Sequence, residues 1–319
     1  MAEPEPAPDP VQRTVGSASR LWASELARAG IEHASGEVRR LMAGVLGLSP
    51  ARLLAESERP LTSAELAALS ACMARRVGRE PVSRILGWRE FYGRHFAITS
   101  ATLDPRPDTE TLVEAALEIA RAEQWVTPEA VGSPSILDVG TGSGCILTTL
   151  LCELKGARGV GTDISPEALG VARANAERLG VGARASWLRA DGLESVPGPF
   201  HILLSNPPYV RSGDIAHLEP EVRRFDPAAA LDGGEDGLEL YRRLAPQIAR
   251  IVPGGWALLE VGYDQADAVA AIVAAALGRE VVADMRTYRD VAGKRRCVAV
   301  KTRAEAYAQK CLGLSEAAR

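Results

Sequence analysis

The chain has 319 residues, 46% of them hydrophobic, with 41 acidic against 37 basic side chains and a formal net charge of −4. That length favours two domains, and the slightly acidic balance lacks the global basic field that a sequence-independent grip on nucleic acid needs. No run approaches the roughly 18 apolar residues of a membrane helix, and the amino terminus is acidic and proline-rich where a signal peptide is basic and then apolar, so a cytoplasmic protein is expected.

Residues 1–12, rich in Pro and Glu, are expected to form a disordered tail. Helices are expected over 17–29, 36–46, 50–56 and 63–77. The last opens on a capping box of Thr62 and Glu65, with Leu61 and Leu66 as a hydrophobic staple, and stops at Gly78. Together they make a small helical domain over 13–83. A β-hairpin linker is expected over 84–110, turning at Gly93, and a helix from about Thr109 to Ala122 leads into an α/β domain over 111–302. The tail, 303–319, is helix-compatible and carries no motif.

Inside the α/β domain, Ser135-Ile136-Leu137-Asp138-Val139 reads as a short buried strand. Gly140, Thr141, Gly142, Ser143 and Gly144 follow, and then a helix from Cys145 to about Lys155. Glycines at such a strand-to-helix turn let the backbone approach a ligand and present N–H groups at a helix start. The next strand ends in Asp163, about 20 residues beyond Gly140, where a carboxylate suits the two hydroxyls of a ribose. A strand-end carboxylate also serves as a helix cap, but Ser165 is available for that, with Pro166 at the first helical position and Gly180 at the helix end. Asp191 closes the strand 185–190. Its plain reading is a solvated turn carboxylate; the methyltransferase resemblance given below implies instead an acceptor for the adenine amino group.

Phe200 to Ser205 is a strand-like run, and Asn206-Pro207-Pro208-Tyr209 follows it directly. The prolines fix φ and hold the residues before them extended, so the Asn206 side chain and the Pro207 carbonyl can aim at one point as paired acceptors. Two acceptors suit a planar –NH2 group; an Asn-Pro turn leaving a strand is the plainer alternative. The last two strand candidates, 280–285 and 295–300, are joined by nine residues, 286–294. A parallel crossover needs about a dozen or more, so the final strand is expected to run antiparallel. That ending resembles the S-adenosylmethionine-dependent methyltransferases and argues against a nicotinamide dehydrogenase.

Cys72, Cys145, Cys152, Cys297 and Cys311 show no metal-ligand spacing and are expected to be reduced and structural. The four histidines are scattered, so no metal site is expected.

With Arg79-Glu80-Pro81-Val82, Gly87 to Tyr92, Pro105-Arg106-Pro107-Asp108-Thr109-Glu110, the glycine loop, Asn206 to Tyr209 and Phe225-Asp226-Pro227 in this order, the chain resembles the peptide-chain-release-factor glutamine methyltransferases from about Arg79 to Val300. The resemblance implies a Rossmann-like class I methyltransferase sheet with an antiparallel last strand, preceded by a small helical domain and a hairpin linker. It implies S-adenosylmethionine as cofactor, held by Gly140, Thr141, Gly142, Ser143, Gly144, Asp163, Asp191, Gly192 and Asn206. Asn206, Pro207 and Tyr209 would be catalytic. Arg106, Pro208 and Phe225 would join them in binding the glutamine of a Gly-Gly-Gln tripeptide in class 1 release factors. The helical domain would recognise that protein substrate, with no stable nucleic-acid binding and no membrane. Asp104 and Gly192 depart from the family pattern, which leaves open the side chain that walls the adenine. The alternatives are an adenine N6-methyltransferase acting on nucleic acid, a ribosomal-protein glutamine methyltransferase, and a non-catalytic binder of release factors.

Overall fold

The computed structural model describes residues 13–125 and 133–304. The tail 1–12, most of the tail 303–319, and Cys311 lie outside the described residues. Two compact units share the chain, Met1–Trp88 and Arg89–Arg319.

The first unit holds α1 (Val15–Arg28), α2 (Ala34–Leu46), α3 (Pro50–Ala55), α4 (Ser63–Val77) and α5 (Val82–Leu86). Their apolar stripes meet in one core containing Trp22, Leu26, Leu41, Met42 and Leu69. At the start of α4 the Thr62 hydroxyl accepts from the Glu65 N–H at 3.2 Å, and the Glu65 carboxylate accepts from the Thr62 N–H at 2.8 Å. Each therefore satisfies an orphan donor of the first turn. Leu61 and Leu66 both pack into the core. The helix stops before Gly78, but the left-handed residue is Arg79, at φ 71°, whose guanidinium donates to the Gly30 carbonyl at 3.0 Å. The side-chain contact thus accompanies a conformation that glycine was expected to supply.

The hairpin is shorter than expected: β1 (Trp88–Phe91) and β2 (Arg94–Ala97) turn on Tyr92 and Gly93, both at positive φ, and residues 82–86 are helical. Then come a tight turn at Pro107–Thr109, α6 (Glu110–Ala122), β3 (Ser135–Val139), α7 (Cys145–Glu153), β4 (Arg158–Asp163), α8 (Pro166–Arg178), β5 (Ala185–Arg189) and β6 (Ile202–Ser205). The remainder is α9 (Pro220–Phe225), α10 (Glu239–Leu244), α11 (Ile248–Ile251), β7 (Trp256–Glu260), α12 (Ala266–Leu277), β8 (Val282–Arg289) and β9 (Arg295–Thr302).

The sheet order is β5-β4-β3-β6-β7-β9-β8. The first five strands are parallel, and β9 runs antiparallel to both β7 and β8. This is the class I methyltransferase sheet with its antiparallel last strand. The closing hairpin is tighter than the nine-residue link expected, because β8 continues to Arg289. Residues on the α6, α7 and α8 face pack in one core and those on the α10, α11 and α12 face in another. Strand order reverses between β3 and β6, where open α/β sheets bind ligands beyond their carboxyl ends.

Among the described residues, no helix is long and apolar enough to cross a membrane. Cys72, Cys145, Cys152 and Cys297 are free thiols.

Candidate active site

A cavity of about 420 Å³ opens beyond the carboxyl ends of the central strands, within the second unit. It lies in the size range, ~300–1000 Å³, of small-ligand sites. Its two halves follow from the pairing of β3 with β6: Val139 faces Ser205, so the loop after one strand and the loop after the other begin side by side.

Gly140, Gly142 and Gly144 have φ of 72°, 54° and 74°, the left-handed region that favours glycine. A Cβ on Gly140 or Gly142 would meet no atom within 4 Å, so those two backbone positions border open space. Gly144 differs, since its Cβ would lie 2.9 Å from that of Ala172. Its glycine is required by packing on α8. The loop is fixed from below: the Thr141 N–H donates to the Thr162 carbonyl at 2.8 Å and its hydroxyl to Asp138 Oδ2 at 2.6 Å. The buried Asn175 amide donates to the Ser143 carbonyl at 2.9 Å. Burial pushes the Asp138 carboxyl up to about 7, against the Thr141 hydrogen bond that favours its ionised form.

Asp163 lines the cavity, and its two oxygens accept from the Gly142 N–H at 2.9 Å and the Ser165 N–H at 3.0 Å. It therefore shares the work at the helix start with Ser165, whose hydroxyl accepts from the Ala168 N–H at 3.1 Å. A carboxylate has about four lone-pair sites, so two remain for a ligand. Asp191 and Gly192 also line the cavity, Asp191 being 67% exposed and paired with Arg243 at 2.9 Å. Ile164, an exposed large apolar residue, stands on the same wall. Sequence reading passed over it, although an apolar residue directly after the strand-end Asp163 was the available signal.

In the other half, Asn206, Pro207, Pro208 and Arg106 line the cavity. Asn206 Nδ2 donates to Thr109 Oγ1 at 3.2 Å. Tyr209 and Phe225 are not among the lining residues. Tyr209 packs instead against the second core, where burial pushes its phenol up, and its carbonyl accepts from Gln265 Nε2 at 3.0 Å. The Phe225 ring lies under the Arg224 guanidinium, 5.5 Å from its centroid. The buried member of that motif is Asp226, whose carboxylate pairs with Arg106 at 2.7 Å and accepts from the Asp104 N–H at 3.2 Å. Asp104 is itself buried, with Arg89 at 3.8 Å.

Behind Asn206 lies Glu260, buried at the end of β7 and missed in the sequence, where it looks like any strand-end acid. Among the described residues, no group of three or more His, Cys, Asp or Glu side chains is placed to hold a metal ion.

Comparison with known proteins bears on the same segments. The PrmC N-terminal domain family matches residues 17–87 and the methyltransferase small domain family residues 127–221. The release factor glutamine methyltransferase of Bradyrhizobium diazoefficiens is 44% identical over 91% of this chain and 95% of its own length. The protein of that name from Rhodospirillum rubrum is 47% identical over 86% of this chain and 81% of its own. Among solved structures, the hMettl16 catalytic domain, in complex with MAT2A 3′UTR hairpin 6, matches with a TM-score of 0.53 at 15% identity, over 75% of this chain and 82% of that one. A likeness at that identity concerns the fold alone.

Proposed function

The chain belongs to the release factor glutamine methyltransferase family, and from that premise we propose how its residues divide the work. The enzyme uses S-adenosylmethionine to methylate a glutamine side chain of a release factor. The cofactor supplies a methyl group already activated as a sulfonium.

The open backbone at Gly140 and Gly142 fits a ligand that needs N–H donors and close approach. Thr141, Ser143 and Gly144 hold that loop in shape. Asp163 uses its remaining lone pairs for the ribose hydroxyls. Asp191 accepts from the adenine amino group, with Gly192 and Ile164 as the walls of the adenine slot.

A glutamine amide nitrogen is a poor nucleophile because its lone pair is delocalised into the carbonyl, so orientation is the main service the protein can render. Asn206 Oδ1 and the Pro207 carbonyl accept the two amide hydrogens and turn the nitrogen toward the methyl group. Such orientation supplies roughly 7–11 kcal/mol in favourable cases, and the proton leaves after transfer without a strong base. Pro208 and Arg106 shape the entrance for the Gly-Gly-Gln loop of class 1 release factors. Tyr209 and Phe225, off the cavity wall, act through what adjoins them, Tyr209 through its carbonyl's hold on Gln265 and Phe225 through Asp226. The helical unit recognises the body of the release factor, and the reaction takes place in the cytoplasm.

The observation that carries this reading is the single cavity lined by Asp163 and Asn206 from either side of the sheet's switch point. The decisive assay offers labelled cofactor with a release factor and with nucleic acid side by side. Label is expected on the glutamine of the release factor; label on nucleic acid alone would overturn the assignment.

A further inference from the structure

At Gly192 the cavity is walled by backbone, at a residue whose φ of 71° favours glycine. The space in front of that backbone belongs to another part of the chain. A Cβ on Gly192 would lie 3.6 Å from Arg243 Nη2 and 3.9 Å from Leu244 Cδ2, which is ordinary van der Waals contact. Arg243 lines the cavity together with Ile164, Asp191 and Gly192. Its Nη2 also pairs with Asp191 Oδ1 at 2.9 Å, so the guanidinium is held by a carboxylate on one side and rests on Gly192. The root of the side chain is fixed as well. Tyr241 and Leu244, its neighbours in α10, are buried in the second core, and the Tyr241 hydroxyl donates to the Glu260 carbonyl at 2.6 Å. Arg242, beside it in the same turn, pairs with Asp236 and does not line the cavity.

Resting on the placement of the adenine beside Asp191 given above, we infer that Arg243 is a further cofactor-binding residue. Its guanidinium lies against a face of the adenine ring, where position 192 has no side chain to offer. An ion pair between side chains 41% and 67% exposed contributes little to stability, but it does hold a planar cation at the wall of the cavity. Adenine is a flat π system that needs contact over its faces as well as a partner for its edge. A guanidinium is planar and weakly hydrated and stacks on aromatic faces, whereas an ammonium is a strongly hydrated point charge. Asp191 then serves two donors. It fixes the guanidinium through one oxygen, and with about four lone-pair sites in all it keeps others for the adenine amino group. Ile164, 51% exposed, adds apolar contact. The cofactor's own carboxylate is the other group that a guanidinium could take, and it would have to displace Asp191 from Arg243.

The test is calorimetry on the full chain with S-adenosylhomocysteine and with methylthioadenosine, which keeps the adenine and the ribose but has no carboxylate. Arg243→Ala is expected to weaken both ligands by about fivefold, as loss of a cation–π contact at a partly exposed site costs, with the melting temperature of the free protein retained. Arg243→Lys keeps the charge beside Asp191 and loses the plane, and it is expected to stay about threefold weaker. Asp163→Ala is measured beside them. Full affinity in Arg243→Ala, with Asp163→Ala weakened, would overturn the stack alone. Full affinity in both would overturn the placement of the cofactor as well. Tighter binding in Arg243→Ala would show the guanidinium competing with adenine for Asp191, and full affinity in Arg243→Lys would show that charge suffices; either overturns the inference. A loss confined to S-adenosylhomocysteine would assign Arg243 to the cofactor's carboxylate, and a parallel fall in the melting temperature of the free protein would make it structural. Each of these likewise overturns it.

Discussion

At the cofactor end of the cavity, the ligand-facing groups come from one contiguous run, Gly140 to Gly144, and from strand-end carboxylates still in reach of solvent. At the amide end, Arg106, Thr109 and Asn206 come to the wall from segments far apart in the chain, with Asp226 and Glu260 off the wall, and three of these five side chains are buried. On the proposed reading the first half binds through backbone geometry, which follows from a few φ angles. The second depends on the direction of hydrogen bonds in a low-dielectric interior, where a misplaced partner costs more than it would in water. Substitutions should therefore separate binding from chemistry along this line.

The largest separation is expected at Asn206. Asn206→Ala removes one of the two acceptors proposed to orient the amide and should lower methyl transfer by ~10²-fold or more, about 3 kcal/mol, while cofactor affinity changes by no more than about threefold. Single-turnover kinetics and calorimetry on the same preparation read the two quantities. Near-normal turnover would show that the tetrapeptide is a strand-end turn and erase the contrast between the halves.

Asp163→Ala is the converse. Loss of charge-assisted bonds to a ribose should weaken S-adenosylmethionine by about 2–3 kcal/mol, read by calorimetry, with turnover recovering at saturating cofactor. Because Asp163 also accepts from the Gly142 and Ser165 N–H groups, a modest drop in melting temperature is expected with it. Unchanged affinity would remove Asp163 from the site.

The two halves also differ in how far the sequence disclosed them. The glycine loop, Asp163 and the Asn206 tetrapeptide were legible because each is a local pattern: a strand, a special turn, a helix start. The antiparallel final strand was legible too, from the short link that precedes it. Its place between β7 and β8 was not, because strand order is decided by tertiary packing. Thr109, Glu260 and Asp226 were invisible as site residues for the same reason, since only the sheet order brings residues 109, 206 and 260 together. Tyr209 misled in the opposite direction. The resemblance placed it among the catalytic residues, whereas its ring packs against the second core and does not line the cavity.

A smaller effect is expected at the mouth of the amide end. Arg106→Ala withdraws a guanidinium from the buried Asp226 carboxylate, which also anchors the Asp104 N–H. Loss of such a bond costs about 1–3 kcal/mol, and the 35% exposure of the Arg106 side chain puts the value at the low end, ~1 kcal/mol. The expected outcome is a slightly lower melting temperature and a KM for release factor raised about fivefold, about 1 kcal/mol of transition-state binding, with cofactor affinity unchanged. Asp226→Asn, which keeps the shape, should do less. A large change in cofactor affinity in either variant would mean that the halves are coupled.

The smallest effect on the cavity is expected from removing residues 1–88. The glycine loop, Asp163, Asp191 and Asn206 all belong to the unit Arg89–Arg319, which has cores of its own on both faces of the sheet. Its S-adenosylmethionine affinity should stay within about twofold, well under 1 kcal/mol. If the helical unit recruits the body of the release factor, methylation of the intact protein should fall while a short Gly-Gly-Gln peptide is affected much less, because the peptide engages only the amide end. KM values for both substrates, measured at saturating cofactor, decide the matter. Equal losses on protein and peptide would mean that the helices support the cavity itself, and the boundary between binding and chemistry would then have to be drawn around the whole chain.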